Sequence, residues 1–152
     1  MKIVNNLADL RSELDVVRAQ GKSIAFVPTM GNLHEGHLKL VKTGLQHADF
    51  VVASIFVNPT QFGENEDLSG YPKTLEVDKK QLIADGCGLL YLPHNEIMYP
   101  QPDLTRVSVD KITTLHCGSS RPGHFVGVAT IVLKLFNQVQ PNTAVFGLKD
   151  FQ

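Results

Sequence analysis

The sequence predicts an α/β fold, a Rossmann-like doubly wound parallel sheet of about five strands with helices on both faces. Three observations carry this. Stretches of helical periodicity alternate with apolar runs along the whole chain. The runs "SIAFVPT" (23–29), "FVVASIFVNP" (50–59) and "CGLLYLP" (87–93) are too apolar for strands with one wet face. Such runs belong inside a parallel sheet covered on both sides. Finally, 152 residues with 43% hydrophobic content suffice for one domain with a real core, and no repeat or linker-like tract divides the chain.

The elements follow in order. Asn6 is placed to cap a first helix, in which Leu7, Leu10, Leu14 and Val17 recur at helical spacing until Gly21. A buried strand at 23–29 leads to a helix over 35–46, with Leu38, Val41 and Leu45 on one face. The apolar run 50–59 is a central strand, and 60–73 is a polar loop. Thr74 caps a third helix through Asp85, and Gly86 stops it. A strand at 87–93 precedes an irregular stretch, 94–105, that holds Pro100 and Pro102. "TRVSV" (105–109) reads as a short strand and "CGSSRPGHF" (117–125) as a loop. "GVATIVLKLFNQV" (127–139) is apolar nearly all round and reads as a well-buried helix. "TAVFG" (143–147) is the last strand.

Charge and composition exclude some classes of function. The formal net charge of -1 gives no bulk basic field for nucleic acid or an anionic membrane. No apolar run reaches the ~18 residues of a membrane span, and "MKIVNNLADL" lacks the apolar stretch of a signal peptide. A cytoplasmic protein is expected. Cys87 and Cys117, the only cysteines, are expected as reduced, buried thiols rather than a disulfide framework.

Open parallel sheets bind ligands beyond the carboxyl ends of their strands. The polar clusters just past the predicted strands are Thr29 to His37, Asn58 to Gln61 and Gly147 to Asp150. All three should share one rim. The first, within "FVPTMGNLHEGHLKLV" (26–41), is the most specific. It sets Gly31 and Gly36 around a strand-to-helix turn, with His34 and His37 on one face of the first helical turn. A helix N-terminus carries unpaired N–H groups and favours anions. The pattern fits a phosphate cradle. A zinc pair is a rival reading, but "HEGH" is one residue short of H-E-x-x-H and no third ligand stands at a recognisable spacing. Ordinary capping histidines are the other.

"PTMGNLHEGH" resembles the H-x-G-H signature of the nucleotidylyl-transfer superfamily. "FVNPTQFGENEDLSGYPKTLEVD" (56–78), "SSRPGHFVGVATIVLKLFNQVQP" (119–141) and "VFGLKDFQ" (145–152) narrow the resemblance to the pantothenate synthetase (pantoate–β-alanine ligase) family. The resemblance runs co-linearly along nearly the whole chain. It implies ATP-dependent condensation of pantoate with β-alanine through pantoyl adenylate, releasing AMP and pyrophosphate. ATP and Mg²⁺, the metal held by the ATP phosphates, would be the cofactors. It also implies a homodimer with small-molecule substrates.

By the resemblance, Met30, Gly31, Asn32, Leu33, His34, Glu35, Gly36 and His37 form one ATP segment, with His37 the catalytic group. Gly147, Leu148, Lys149 and Asp150 form the other, Lys149 meeting phosphate and Asp150 the ribose. Leu148 stands where the family commonly has a polar residue. Gln61 would bind pantoate, with Asn58 either shaping that pocket or only forming a turn. Arg121 and His124 either face the pocket mouth or hold their loop against the following helix. Glu64, Glu66, Asp67 and Asp78 read as a solvated acidic face, and Tyr71 and Pro72 as loop packing. No protein-held metal is expected. Family members run nearly twice as long, so 1–152 is expected to be a single N-terminal nucleotide-binding domain without the family's C-terminal lid, and weakly active alone. Two other functions stay open: an adenylyltransferase of the same superfamily, and a non-catalytic dimerisation or ligand-binding module.

Overall fold

The structure is a computed structural model and describes residues 1–63 and 66–152; Glu64 lies outside the described residues. Five strands form one parallel sheet: β1 (Lys2–Val4), β2 (Ile24–Thr29), β3 (Phe50–Ile55), β4 (Leu89–Tyr91) and β5 (Thr143–Ala144). Their spatial order is β1-β4-β3-β2-β5. The longest pairing runs from Ile24 opposite Phe50 to Thr29 opposite Ile55.

Among the described residues six helices accompany the sheet: α1 (Leu7–Ala19), α2 (Glu35–His47), α3 (Leu75–Ala84), the short α4 (Asn95–Met98) and α5 (Cys117–Ser120), and α6 (His124–Val139). Alternate residues of the strands point to opposite faces. Ile24, Phe26, Val52, Leu89 and Tyr91 meet Leu10, Leu14 and Val17 of α1 and Ile131, Leu135 and Val139 of α6. Ala25, Val27, Val51, Ala53 and Leu90 meet Val41 of α2 and Leu82 of α3. Both faces are therefore covered, as the double-wound expectation requires. Asn6 caps α1 by accepting the Asp9 N–H at 2.8 Å.

Several expectations are corrected. Strand β1 was not legible: of its three residues only Val4 is buried, too few to show a period. Residues 105–109 are not a strand; the Val107 N–H is satisfied instead by the Thr130 hydroxyl at 2.9 Å. The predicted loop 117–125 contains α5 and the first two residues of α6. Helix α6 is two-faced rather than buried all round, with Leu133 45% exposed. Cys87 is buried but Cys117 is exposed. No helix among the described residues is long and apolar enough to cross a membrane.

The topology fixes where a ligand can sit. From β2 the chain steps through β3 to β4, then returns past β2 to lay β5 on its other side. The order reverses between β2 and β5, and the crevice at such a reversal is the usual ligand position in open α/β sheets.

Candidate functional site

The residues after β2 build a tight loop before α2. Gly31 has φ +84°, and a Cβ there would lie 3.1 Å from Ile55 and 3.3 Å from the Asp78 carboxylate. Only glycine fits this close approach without displacing a neighbour. Most of the loop's backbone donors are spent inside the protein. The Gly31 N–H donates to Thr29 Oγ1 at 3.2 Å. Those of Asn32 and Leu33 donate to the two carboxylate oxygens of Asp78, at 3.0 and 2.9 Å. Thr74 Oγ1 donates to the same carboxylate. Asp78 is 1% exposed, so the solvated acidic face expected there is wrong for this residue. Thr74, expected to cap α3, turns its hydroxyl to Asp78 instead.

The two histidines close the loop on itself. His34 Nδ1 accepts the Gly36 N–H at 3.1 Å, and His37 Nδ1 accepts the His34 N–H at 3.4 Å. The ring centroids lie 4.2 Å apart. A ring nitrogen that accepts a backbone N–H carries no proton, so in each neutral imidazole the proton sits on Nε2. The pair is thus a capped helix start that also carries two ring N–H donors. Burial holds the His37 pKa below its ordinary value, helped by the charges of His34 and Lys149 and opposed by Asp150 and Asp78. The backbone cradle read from the sequence is therefore corrected: five of its amides, those of Gly31, Asn32, Leu33, His34 and Gly36, are engaged. Imidazoles remain as the polar face of the turn.

The segment after β5 lies on the same rim, because β5 pairs with β2 in parallel, Ala25 opposite Thr143 and Phe26 opposite Ala144, and both strands deliver their following residues to the same sheet edge. Leu148–Asp150 form a single tight turn in which Asp150 N–H donates to Gly147 O at 2.9 Å. Lys149 Nζ donates to Asp150 Oδ1 at 2.7 Å. Leu148 is 87% exposed, so its departure from the family pattern occupies no packed position here. Glu35 and Gly36 are exposed, and Leu33 anchors the loop in the core beneath.

The third cluster follows β3. Pro59–Gln61 form a 3-10 turn capped by Asn58. Asn58 is 1% exposed, and both polar atoms of its side chain have protein partners. Its Nδ2 donates to Gly127 O at 3.2 Å and to Gln61 Oε1 at 3.1 Å. Its Oδ1 accepts from the Tyr99 hydroxyl at 2.6 Å and the Thr60 hydroxyl at 3.0 Å. Gln61 Nε2 reaches Met30 Sδ at 3.2 Å, which joins this cluster to the first. A Cβ on Gly127 would collide with Thr60 O, so α6 carries glycine where the turn presses on it.

Arg121 and His124 hold the loops together. Arg121 makes a two-pronged pair with Glu66, Nε to Oε1 at 2.6 Å and Nη2 to Oε2 at 2.8 Å. Its hydrogen bonds hold the Glu66 carboxyl down at about 2. His124 Nδ1 lies 2.8 Å from Gln61 O. Of the two readings for this pair, the geometry favours loop fastening. Tyr71 packs edge-on against Phe62, with centroids 6.1 Å apart. Sequence reasoning missed Asp78 and Tyr99. Asp78 had a signal: it stands between Leu75 and Leu82 at helical spacing, where an apolar residue is due.

Fold and rim together define a doubly wound α/β domain whose polar residues gather at the reversal of strand order. Comparison with known proteins narrows this. Residues 2–152 match the family model described as Pantoate-beta-alanine ligase, and the chain belongs to that family. It is 58% identical to a pantothenate synthetase of Stutzerimonas stutzeri over all of this chain and 54% of that protein. It is 56% identical to one from Alteromonas mediterranea, again over the whole chain and 55% of the relative. Among solved structures, pantothenate synthetase from Thermus thermophilus superposes with a TM-score of 0.88 at 48% identity, covering 95% of this chain and 51% of that one. Pantoate-beta-alanine ligase from Francisella tularensis, described as complexed with beta-gamma ATP and beta-alanine, gives 0.89 at 39% identity, covering 95% and 55%. The chain spans about half the length of the curated relatives it matches.

Proposed function

We propose that this chain supplies the nucleotide- and pantoate-binding half of a pantoate–β-alanine ligase. The observation that carries the reading is the meeting of the His34–His37 pair, Lys149–Asp150 and Gln61 at one rim. Support comes from family membership and from a relative whose structure is described with an ATP analogue and β-alanine. In the reaction, a pantoate carboxylate oxygen attacks the α-phosphorus of ATP, and the bond to pyrophosphate breaks. The β-alanine amine then attacks the acyl carbon of pantoyl adenylate, and AMP leaves as the amide forms.

Charge builds on phosphate oxygens in the first step. Donors already aimed at those oxygens stabilise it without reorganisation. His34 and His37 offer Nε2–H for this, with His37 the catalytic group, and Lys149 offers a cation. Asp150 accepts from the ribose. Gln61 holds pantoate, and Asn58 positions Gln61 rather than touching substrate, because its own amide is fully engaged. Met30 to Gly36 line the nucleotide, as do Gly147 and Leu148 by their backbone. Mg²⁺ would enter on the ATP phosphates and would keep much of its water; the buried carboxylate of this rim, Asp78, already accepts hydrogen bonds on both oxygens.

A homodimer belongs to the same reading, favoured by the exposed apolar side chains Leu104, Val109, Ile112 and Leu115; sedimentation tests it. Residues 1–152 act as one nucleotide-binding domain in the cytoplasm. The test of function is ATP titration followed by pyrophosphate release. The reading expects ATP to bind, and pyrophosphate to appear only with pantoate. Release that is indifferent to pantoate but rises with a phosphate ester would favour the adenylyltransferase alternative.

A further inference from the structure

The orientation of the Gln61 amide is fixed by groups that lie behind it. Asn58 sits between two backbone groups of set polarity: the Thr60 N–H, 3.4 Å from Oδ1, and the Gly127 carbonyl, 3.2 Å from Nδ2. Turning the Asn58 amide over would set its NH₂ against the Thr60 N–H and its oxygen against the Gly127 carbonyl. The Tyr99 hydroxyl, 2.6 Å from Oδ1, holds the same end. Nδ2 must therefore face Gln61, and the Gln61 atom that receives it must be Oε1. What remains for a ligand is the Gln61 NH₂ group. It now rests on Met30 Sδ at 3.2 Å, a weak acceptor that an oxygen would displace.

We propose that Tyr99 is a positioning residue. Its hydroxyl adds to the Thr60 and Gly127 groups that hold Asn58, and through Asn58 it strengthens the presentation of Gln61 as a hydrogen-bond donor, so that the subsite selects an acceptor oxygen such as a carboxylate or a hydroxyl. This rests on the reading of Gln61 as the pantoate-binding residue and adds the residue that sets its polarity. The Tyr99 ring needs no hydroxyl to stay in place. Lys134 Nζ lies 4.3 Å from its centroid, itself held by Met98 O at 2.7 Å and Asp103 at 3.0 Å. Phe56 stacks at 6.3 Å on a tilted plane. Burial raises the Tyr99 pKa, which keeps the phenol a donor at neutral pH.

Tyr99→Phe removes the hydroxyl alone. Isotope-labelled protein is titrated with (R)-pantoate and, separately, with ATP, and the side-chain NH₂ signals of Asn58 and Gln61 are followed. The proposal expects pantoate to bind about five- to tenfold more weakly to Tyr99→Phe, the loss of roughly one hydrogen bond, with ATP affinity unchanged. A variant that had merely loosened the fold would lose both. Equal pantoate affinity in the two proteins overturns the proposal. If pantoate moves no signal of the unsubstituted protein while ATP does, the pantoate-binding reading fails instead. The relay is then judged without ligand. Gln61 NH₂ protons should show a cross-relaxation peak to the Met30 methyl that weakens in Tyr99→Phe. Absence of that peak in the unsubstituted protein sinks the relay even if the variant cannot be purified folded, and its persistence undiminished in the folded variant sinks it as well.

Discussion

The Asp78 carboxylate accepts the backbone N–H groups of both Asn32 and Leu33, at 3.0 and 2.9 Å, from 45 or more residues further along the chain. One side chain of α3 thereby holds the turn that starts α2. The turn inherits the rigidity of two helices and the sheet between its anchors.

Asp78→Asn keeps the size and removes one acceptor. A side-chain NH₂ then faces a backbone donor, and a buried N–H is left unsatisfied. The variant should lose about 1–3 kcal/mol of stability and, under the proposed reading, bind ATP more weakly. Urea unfolding and calorimetric titration measure the two effects.

Gly127→Ala places a methyl group against the Thr60 carbonyl, which is backbone and cannot swing aside. Overpacking of this kind costs about 1–3 kcal/mol. It should also push the Pro59–Gln61 turn outward, so that under the proposed reading pantoate binding falls more than ATP binding does. Substrate titrations of the purified variant decide this.

His37 should titrate below an ordinary histidine, as its burial and cationic neighbours require. The sign follows directly. The fold favours the neutral ring, so the unfolded chain takes up the proton first. The contribution is complete above about pH 6.5, the unfolded value, and is lost as pH falls toward the folded value. Proton NMR of the ring should give the lowered midpoint, and His37→Gln should flatten the corresponding slope of urea midpoint against pH.

Glu66 should titrate at about 2 rather than in the usual glutamate range, because Arg121 grips it. Its tie to Arg121 is present above the unfolded pKa and is released as pH drops toward the folded value. In Arg121→Gln the carboxyl should rise toward the ordinary range, with the Gly63 N–H still holding it down in part. Carbon-detected NMR titration of both proteins checks this.

Cys117 should react with a thiol reagent in the folded protein and Cys87 should not. Cys117 is exposed, whereas burial pushes the Cys87 thiol up to about 11. One thiol should count in buffer and two in denaturant.

Much of the architecture could be read from residues alone because burial on both faces leaves a strong mark. Runs such as 23–29 and 50–59 have few other homes, and Asn6 and Gly21 punctuate α1 where they stand in the sequence. The edge strand Lys2–Val4 left no such mark, since a strand of three residues shows no period. Residues 105–109 had strand-like composition, but tertiary contact with Thr130 outweighed it. At the rim, the clusters were legible because each follows a strand directly. The roles of Asp78 and Tyr99 were not, since each acts on a residue more than 40 positions away in the chain. Sequence spacing carries no information about such partners until the sheet brings them together.

The reversal of strand order has a consequence for the chain as it is made. The His34–His37 turn emerges early from a ribosome, but Lys149 and Asp150 come more than 110 residues later, behind a two-residue strand laid on β2. No nascent chain shorter than this can assemble the rim. The complete rim is therefore assembled only once β5 has docked on β2.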